Sequence, residues 1–566
     1  LEIPDTPAGN ERAINADEDP VVADVALRTA EAFNPGEEFE GEPAPGRQAG
    51  RIARSTAFFS IATAASRVVG LLREVIAASY FGVQGAMSAF TVAFLVPNLI
   101  RALFADAALQ PAFVPVFTEQ LEKKNYREAF RLASTLLLLV TMVLGVIAAL
   151  FILFAPVVMP LFVPGFNEQL QDLTVSLSQV LFPILVLLGI SGVVVGILNS
   201  YDRFGAFAIS PLFWNLTIIL VLVVVEPMLS EDDRIYAYAI GILAGTAVQL
   251  AIPAFDLRNT PFKFNWSFAW RDRGVRRVLL LMLPVTISLG LINFNFLISA
   301  MIGSLVSTEA PAAIEKAFRI YQLPQGIFSV AVATVLFPTL ARFASRGAID
   351  ELRGTLANGM RLILFVLVPA AAAILALSEP IIRLIYQRGE FGPEATTLVA
   401  SALFWFAFSL PTNGLYLLQT RTFFGLQKPW MATKLAALDL IVSTVAALAL
   451  YKPFGIGGIV AGTGIGTTVA MAAQAVILRR ELGGLELGRL LDATVRILIA
   501  SAALAGVSYL IWDLLDAELG SDLLGQLISL GVGLTVGAAA YLLAARLLRM
   551  PELEQIMRLV RRRRAA

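Results

Sequence analysis

The residues in this chain able to do chemistry are arginines set inside apolar segments. One such segment reads SRVVGLLRE, with Arg67 and Arg73 on either side of Gly70. A second, PNLIRALFADAALQPAFVP, carries Arg101 and Asp106. A third, EKAFRIYQLPQG, carries Arg319 behind Glu315 and Lys316. On insertion scales an arginine at the centre of a spanning helix costs about 2.5–3.5 kcal/mol, so four on lipid-exposed faces would cost roughly 10–14 kcal/mol. They must instead face a wet cavity or fixed partners. A guanidinium stays protonated and offers a planar fork that binds phosphate oxygens bidentately, which suits a cavity that holds a diphosphate. The alternative is a set of structural bridges: Arg73 with Glu74, Arg101 with Asp106, and Arg319 with Glu315. The first joins adjacent helical positions, which do not face each other, and the second is off the favoured three- or four-residue spacing.

Other chemistries are closed by composition. The chain has no cysteine and no histidine, which excludes thiolate or imidazole metal sites, a Ser-His-Asp triad and a histidine proton relay. Few enzymes of polar substrates do without both residues, so transport is expected rather than catalysis. No Asp/Glu cluster for Mg²⁺ stands out, as an enzyme acting on lipid phosphates would need. Asp439 could ligate Na⁺ with Ser443 or Thr444, or be a hydrogen-bonded or neutral carboxyl. Gly70, Pro97 and Pro324 are candidate hinges, because a proline inside a helix removes a backbone bond and favours a kink; static bends are the alternative.

These residues must be positioned by membrane helices. The 566 residues are 57% hydrophobic and 15% charged, with mean hydropathy +0.75, against about 25% charged for a soluble domain. Apolar runs long enough to span a bilayer recur almost end to end. They segment into about fourteen helices: 56–79, 86–118, 130–158, 172–199, 207–226, 234–255, 277–304, 311–341, 358–385, 395–424, 430–450, 456–478, 490–513 and 522–547. Alternate loops hold the basic residues, among them Lys123, Lys124, Arg127, Arg258, Lys263, Arg271, Arg342, Arg346, Arg479 and Arg480. By the positive-inside rule both termini are expected in the cytoplasm. The run Arg561 to Arg564 reads as a topology anchor or as a lipid-headgroup contact. The 43 basic and 43 acidic residues are a topology pattern that does not point to nucleic acid.

The chain also echoes itself. PVVMPLFVPGF at 156–166 resembles PIIRLIYQRGEF at 380–391, and LNSYDRFGAFAISP resembles LQTRTFFGLQKP. A repeat of six helices gives two bundles of one orientation around a central cavity. The expected organisation is an acidic disordered tail (1–50), a first six-helix bundle (51–256), a second (257–480), two extra helices (481–548) and a basic tail (549–566). The first tail lacks the basic and apolar regions of a signal peptide.

With these residues in view, the chain resembles the lipid II flippase family (MurJ, also called MviN) of the multidrug/oligosaccharidyl-lipid/polysaccharide exporter superfamily. The resemblance rests on SRVVGLLREVIAASYFG at 66–82, AFTVAFLVPNLIRALFADAALQPAFVPVFTE at 89–119, FRIYQLPQGIFSVAVATVLFPTL and RLIYQRGEFG. It implies that Arg67, Arg73, Arg101 and Arg319 are the cavity arginines, and that the last two helices form a groove for a polyprenyl tail. It implies a substrate, lipid II, moved across a bacterial cytoplasmic membrane by alternating access, with membrane lipids and other cell-wall synthesis proteins as partners. Coupling would be to Na⁺, H⁺ or the membrane potential, with no organic cofactor. The chain departs from the family pattern at Ser88, often Asp, at Asp106, often Glu, and at Phe318, commonly acidic. Helix seven offers only Asn293 and Asn295 where some members carry an acid for Na⁺. Alternative readings are a flippase for another polyprenyl-diphosphate saccharide, a non-transporting scaffold of cell-wall synthesis, and an exporter of cationic drugs, whose cavity should be acidic.

Overall fold

The computed structural model describes residues 46–101, 109–266, 268–520, 522–555 and 557; the side chains of 46–60, 101, 109–111, 281 and 283–293 lie outside that description. The acidic N-terminal residues, Asp106, the side chains of Arg101 and Asn293, and Arg561 to Arg564 are therefore not placed.

Among the described residues the chain is helical, without strands. The helices are α1 (Gly46–Phe81), α2 (Gly85–Arg101), α3 (Leu109–Glu122), α4 (Tyr126–Val158), α5 (Glu168–Leu181), α6 (Ile184–Ser200), α7 (Gly205–Val225) and α8 (Arg234–Asp256). They continue with α9 (Arg273–Ser304), α10 (Ala310–Pro324), α11 (Val330–Ser345), α12 (Ile349–Tyr386), α13 (Pro393–Gly425), α14 (Pro429–Glu481), α15 (Leu487–Leu519) and α16 (Leu523–Leu547). Ten helical segments among the described residues are long and apolar enough to cross a membrane. The fourteen ranges expected from the sequence fall on helix over their described residues except at Phe182, Pro183 and Asp522, which is compatible with that count.

Local sequence explains the breaks. Pro183 separates α5 from α6, and Pro324 ends α10 in a π-helical turn, Gln325–Ser329, before α11 resumes. Such turns absorb a residue that the α ladder cannot pair. The 53 residues of α14 are two helices folded back at Gly455, whose φ of 55° and ψ of −132° no side chain would favour. The returning arm packs through glycines: a Cβ on Gly462 would lie 2.4 Å from the Ala447 nitrogen, and one on Gly466 2.0 Å from Ser443 Oγ. Small residues let helix backbones approach this closely, which replaces the hydrophobic drive that lipid does not supply.

In the first set of helices, α1 packs on α7, α7 on α8, α2 on α5, and α6 on α3, α4 and α8. In the second, α13 touches α10, α11, α12 and α14, while α9 lies along α14. The terminal pair α15–α16 packs on α12. Outward faces remain apolar and exposed, as Leu153, Val335 and Leu543 are, which suits contact with lipid tails. A ≈890 Å³ groove opens between the second set and α15; Leu364, Ala371, Leu375, Ala475 and Leu498 line it, with Arg479 among its borders.

The candidate cavity between the helix sets

α1, α4, α9 and α12 end on one face, and the described residues of the chain begin and end on the other, called here the face of the termini. On the first face the two sets meet: the Glu390 N–H donates to the Ser79 carbonyl at 2.9 Å, and the Ala312 N–H donates to Ser88 Oγ at 3.1 Å. Beneath this contact is a ≈360 Å³ cavity. The first set lines it with Arg73, Glu74, Thr91, Asn98, Trp214 and Tyr238, and the second with Glu315 and Arg319.

Arg73 is the most constrained of these residues. It is 7% exposed, its Cζ lies 4.6 Å from the Trp214 ring centroid, and its Nη2 donates to Glu74. The structure corrects the expectation that adjacent helical positions cannot pair: a long guanidinium in a buried niche turns back along its own helix and reaches the neighbouring carboxylate. Arg73 Nε and Nη1 have no hydrogen-bond partner among the described residues, so most of its donor capacity is free. A buried donor without a partner costs about 1–3 kcal/mol, more for a charged group. An anion in the cavity would relieve that cost.

Arg319 donates its Nε to Glu315 Oε1 at 2.6 Å, as the structural-bridge alternative required, yet its side chain is 43% accessible and lines the cavity. Both descriptions therefore hold for this residue. Arg67 is exposed, pairs with no described residue and is not among the cavity-lining residues. Of the predicted set, Arg73 and Arg319 share one cavity, while Arg101's side chain and Asp106 fall outside the described residues.

The hinge candidates differ. Gly70 lies inside continuous helix, with Asn215 side-chain atoms 3.6 Å from where a Cβ would stand. Pro97 lines the cavity inside α2, and Pro324 marks a real change of helix type. Asp439 sits in the α14 hairpin, where Oδ1 accepts from Ser443 Oγ at 3.1 Å and Thr467 Oγ1 at 3.4 Å. Asn295 Nδ2 reaches Ser443 Oγ at 3.5 Å. Thr467, not Thr444, is the second hydroxyl. No group of three or more Asp, Glu, His or Cys side chains placed to hold a metal occurs among the described residues.

Sequence reasoning passed over Trp214, Tyr238 and Tyr386, because aromatic residues in apolar helices carry no distinguishing signal. It named Lys316 only as a neighbour of Arg319, although a third charge within one span was a signal. Lys316 is fully buried, with Nζ 3.3 Å from Glu74 Oε2.

The family model described as "Lipid II flippase MurJ" matches residues 77–545. A relative from Rhizobium meliloti (strain 1021), described as a probable lipid II flippase MurJ, is 33% identical over 81% of this chain and 86% of its own. A solved structure described as lipid II flippase MurJ in an inward closed conformation superposes with a TM-score of 0.71 at 23% identity, covering 87% of this chain and 99% of that one. An inward-facing multidrug resistance MATE family transporter of the MOP superfamily gives a TM-score of 0.63 at 16% identity, covering 82% and 99%.

Proposed function

This chain belongs to the lipid II flippase family, MurJ, and on that premise we propose that it carries lipid II from the inner to the outer leaflet of a bacterial cytoplasmic membrane by exposing its cavity to each side in turn. The observation that carries the reading is Arg73, a buried guanidinium with two free nitrogens facing the same cavity as Arg319 from the other helix set. Two cations from opposite walls match a diphosphate, whose oxygens accept charge-assisted hydrogen bonds. The ≈890 Å³ groove on α12–α15 suits the polyprenyl tail, so only the headgroup needs to cross. In this proposal both termini are cytoplasmic, because Lys123, Lys124, Arg127, Arg342 and Arg346 lie on the loops of their face. Asp439, held by two hydroxyls, is where a coupling Na⁺ or proton would act.

The test is complementation of a strain depleted of its lipid II flippase. The wild-type chain is expected to restore growth, and Arg73→Ala, at equal membrane level, is expected to fail. Growth restored equally by both would defeat the cavity mechanism and favour a scaffold. A well-inserted wild type that does not rescue would shift the substrate to another polyprenyl-linked diphosphate.

A further inference from the structure

The contacts that join the two helix sets on the face where α1, α4, α9 and α12 end lie over a buried inter-set ion pair. Glu390 N–H meets the Ser79 carbonyl, Ala312 N–H meets Ser88 Oγ, and Gly165 N–H meets Ser304 Oγ at 3.4 Å. One layer deeper, Lys316 of α10 places Nζ 3.3 Å from Glu74 Oε2 of α1 and 5.7 Å from the Tyr386 ring centroid. Lys316 has no accessible surface and does not line the cavity, so it is not available to a ligand there in this arrangement. Glu74 does line it, and also accepts from Arg73.

A buried ammonium loses the hydration that a solvated one keeps, and it is tolerated only while paired. The partner here belongs to the other helix set. Any movement that parts the sets on this face must draw Lys316 away from Glu74 and let water reach both. Attraction and desolvation largely offset one another in such a pair, so it can be parted when the chain changes state. An apolar side chain at 316 could fill the space but would tie nothing across the boundary, and it would leave Glu74 with Arg73 alone.

We propose that Lys316 is a positioning residue for transport, which shuts the cavity toward the face opposite the termini by pairing with Glu74 across the two helix sets. The purpose of the closure rests on the transport reading above; the closure itself rests only on these contacts. When the face opens the pair separates, and when it shuts the pair re-forms beneath the Ser79–Glu390 and Ser88–Ala312 contacts.

The chain has no cysteine, so one introduced thiol reports one position. Thr91 lines the cavity and is 6% exposed, and Thr91→Cys places a thiol behind the closure. The full chain is reconstituted in vesicles of known orientation, and a membrane-impermeant maleimide is added from the face opposite the termini. Lys316→Met is expected to raise the labelling rate about tenfold through a larger open population, while Lys316→Arg stays close to the parent. Lys316→Met labelling at the parent rate overturns the proposal, as does a rise that is equal from both faces, which would mean general loosening. If Lys316→Met fails to insert, Lys316→Gln decides: fast labelling supports the closure and labelling at the parent rate refutes it. Labelling needs no lipid substrate, so a chain that labels as expected but does not move lipid II would defeat the transport reading alone.

Discussion

Replacing Arg319 with glutamine separates its structural role from its part in holding substrate. Its bond to Glu315 is short, 2.6 Å, but the side chain is 43% accessible. An i,i+4 pair of that kind is worth about 0.3–0.5 kcal/mol. Folding should therefore change by well under about 1 kcal/mol, too little to move a melting midpoint by more than a few degrees. The loss at the cavity is larger. Two charge-assisted hydrogen bonds to a diphosphate contribute about 1.5–3 kcal/mol each, and a glutamine amide restores roughly one neutral bond of about 1 kcal/mol. The net loss is about 2–5 kcal/mol, or roughly 30- to 5,000-fold in affinity. The assay is the initial rate of lipid II translocation in proteoliposomes, at substrate well below saturation and with equal amounts of inserted protein. Arg319→Gln within about threefold of wild type would rule out a substrate contact at this residue, since even the smaller loss exceeds that. A large fall in melting midpoint would refute the other half, by showing that the Glu315 pair is structural.

Further expectations concern the frame. Gly466→Ala puts a Cβ 2.0 Å from Ser443 Oγ and 2.7 Å from the Ser443 nitrogen, so it should cost about 1–3 kcal/mol in thermal stability, whereas Gly145→Ala, with nothing within 4 Å, should be neutral. Equal melting midpoints for the two variants would contradict the hairpin packing. Ser88→Ala removes the acceptor of the Ala312 N–H near the start of α10 and should cost about 1–3 kcal/mol, while Ser88→Asp, an acceptor suited to a helix N-terminus, should restore stability. Equal melting by the Ala and Asp variants would count against that contact. A hydrogen bond from Lys123 and the attraction of Arg277 hold the Glu119 carboxyl below its usual range, against an opposing contribution from burial. A depressed folded pKa adds stability above the unfolded value of about 4.3, and that stability is lost as pH falls through the folded one. The melting difference between wild type and Glu119→Gln should thus be present at neutral pH and vanish in acid; a difference that does not vary with pH would contradict it.

Much of this arrangement is legible in the residues, because a bilayer leaves few options. Spans of about twenty apolar residues must be helices, and charged residues within them must find water or partners. Arg73 and Arg319 stand out for that reason, and they line one cavity. What the sequence does not carry is which residues meet across long separations. Lys316 pairs with Glu74 over 242 positions, and Ser88 receives the Ala312 N–H over 224. Neither contact has a local periodicity to reveal it. The Arg73–Glu74 bond was misread from idealised helical spacing, which ignores the reach of a guanidinium in a confined niche. Pro324 reads as a kink, but the π turn that follows it depends on how α10 and α11 pack on α13. Arg67 shares residue type and span with Arg73 yet lies on an exposed position, since six residues advance a helix by about one and two-thirds turns.

In the proposed transport cycle lipid II crosses by alternating exposure of the cavity beneath the Ser79–Glu390 contact. The 2.9 Å backbone bond between these residues keeps their Cα atoms within about 6.8 Å of each other, inside the range a disulfide spans. Ser79→Cys with Glu390→Cys, in a chain that has no other cysteine, can therefore lock that face by oxidation. The most direct measurement is lipid II translocation by this variant in proteoliposomes, before oxidation, after it, and after reduction. Transport, then none, then recovery is the expected sequence. Undiminished transport with the cross-link fully formed would contradict it.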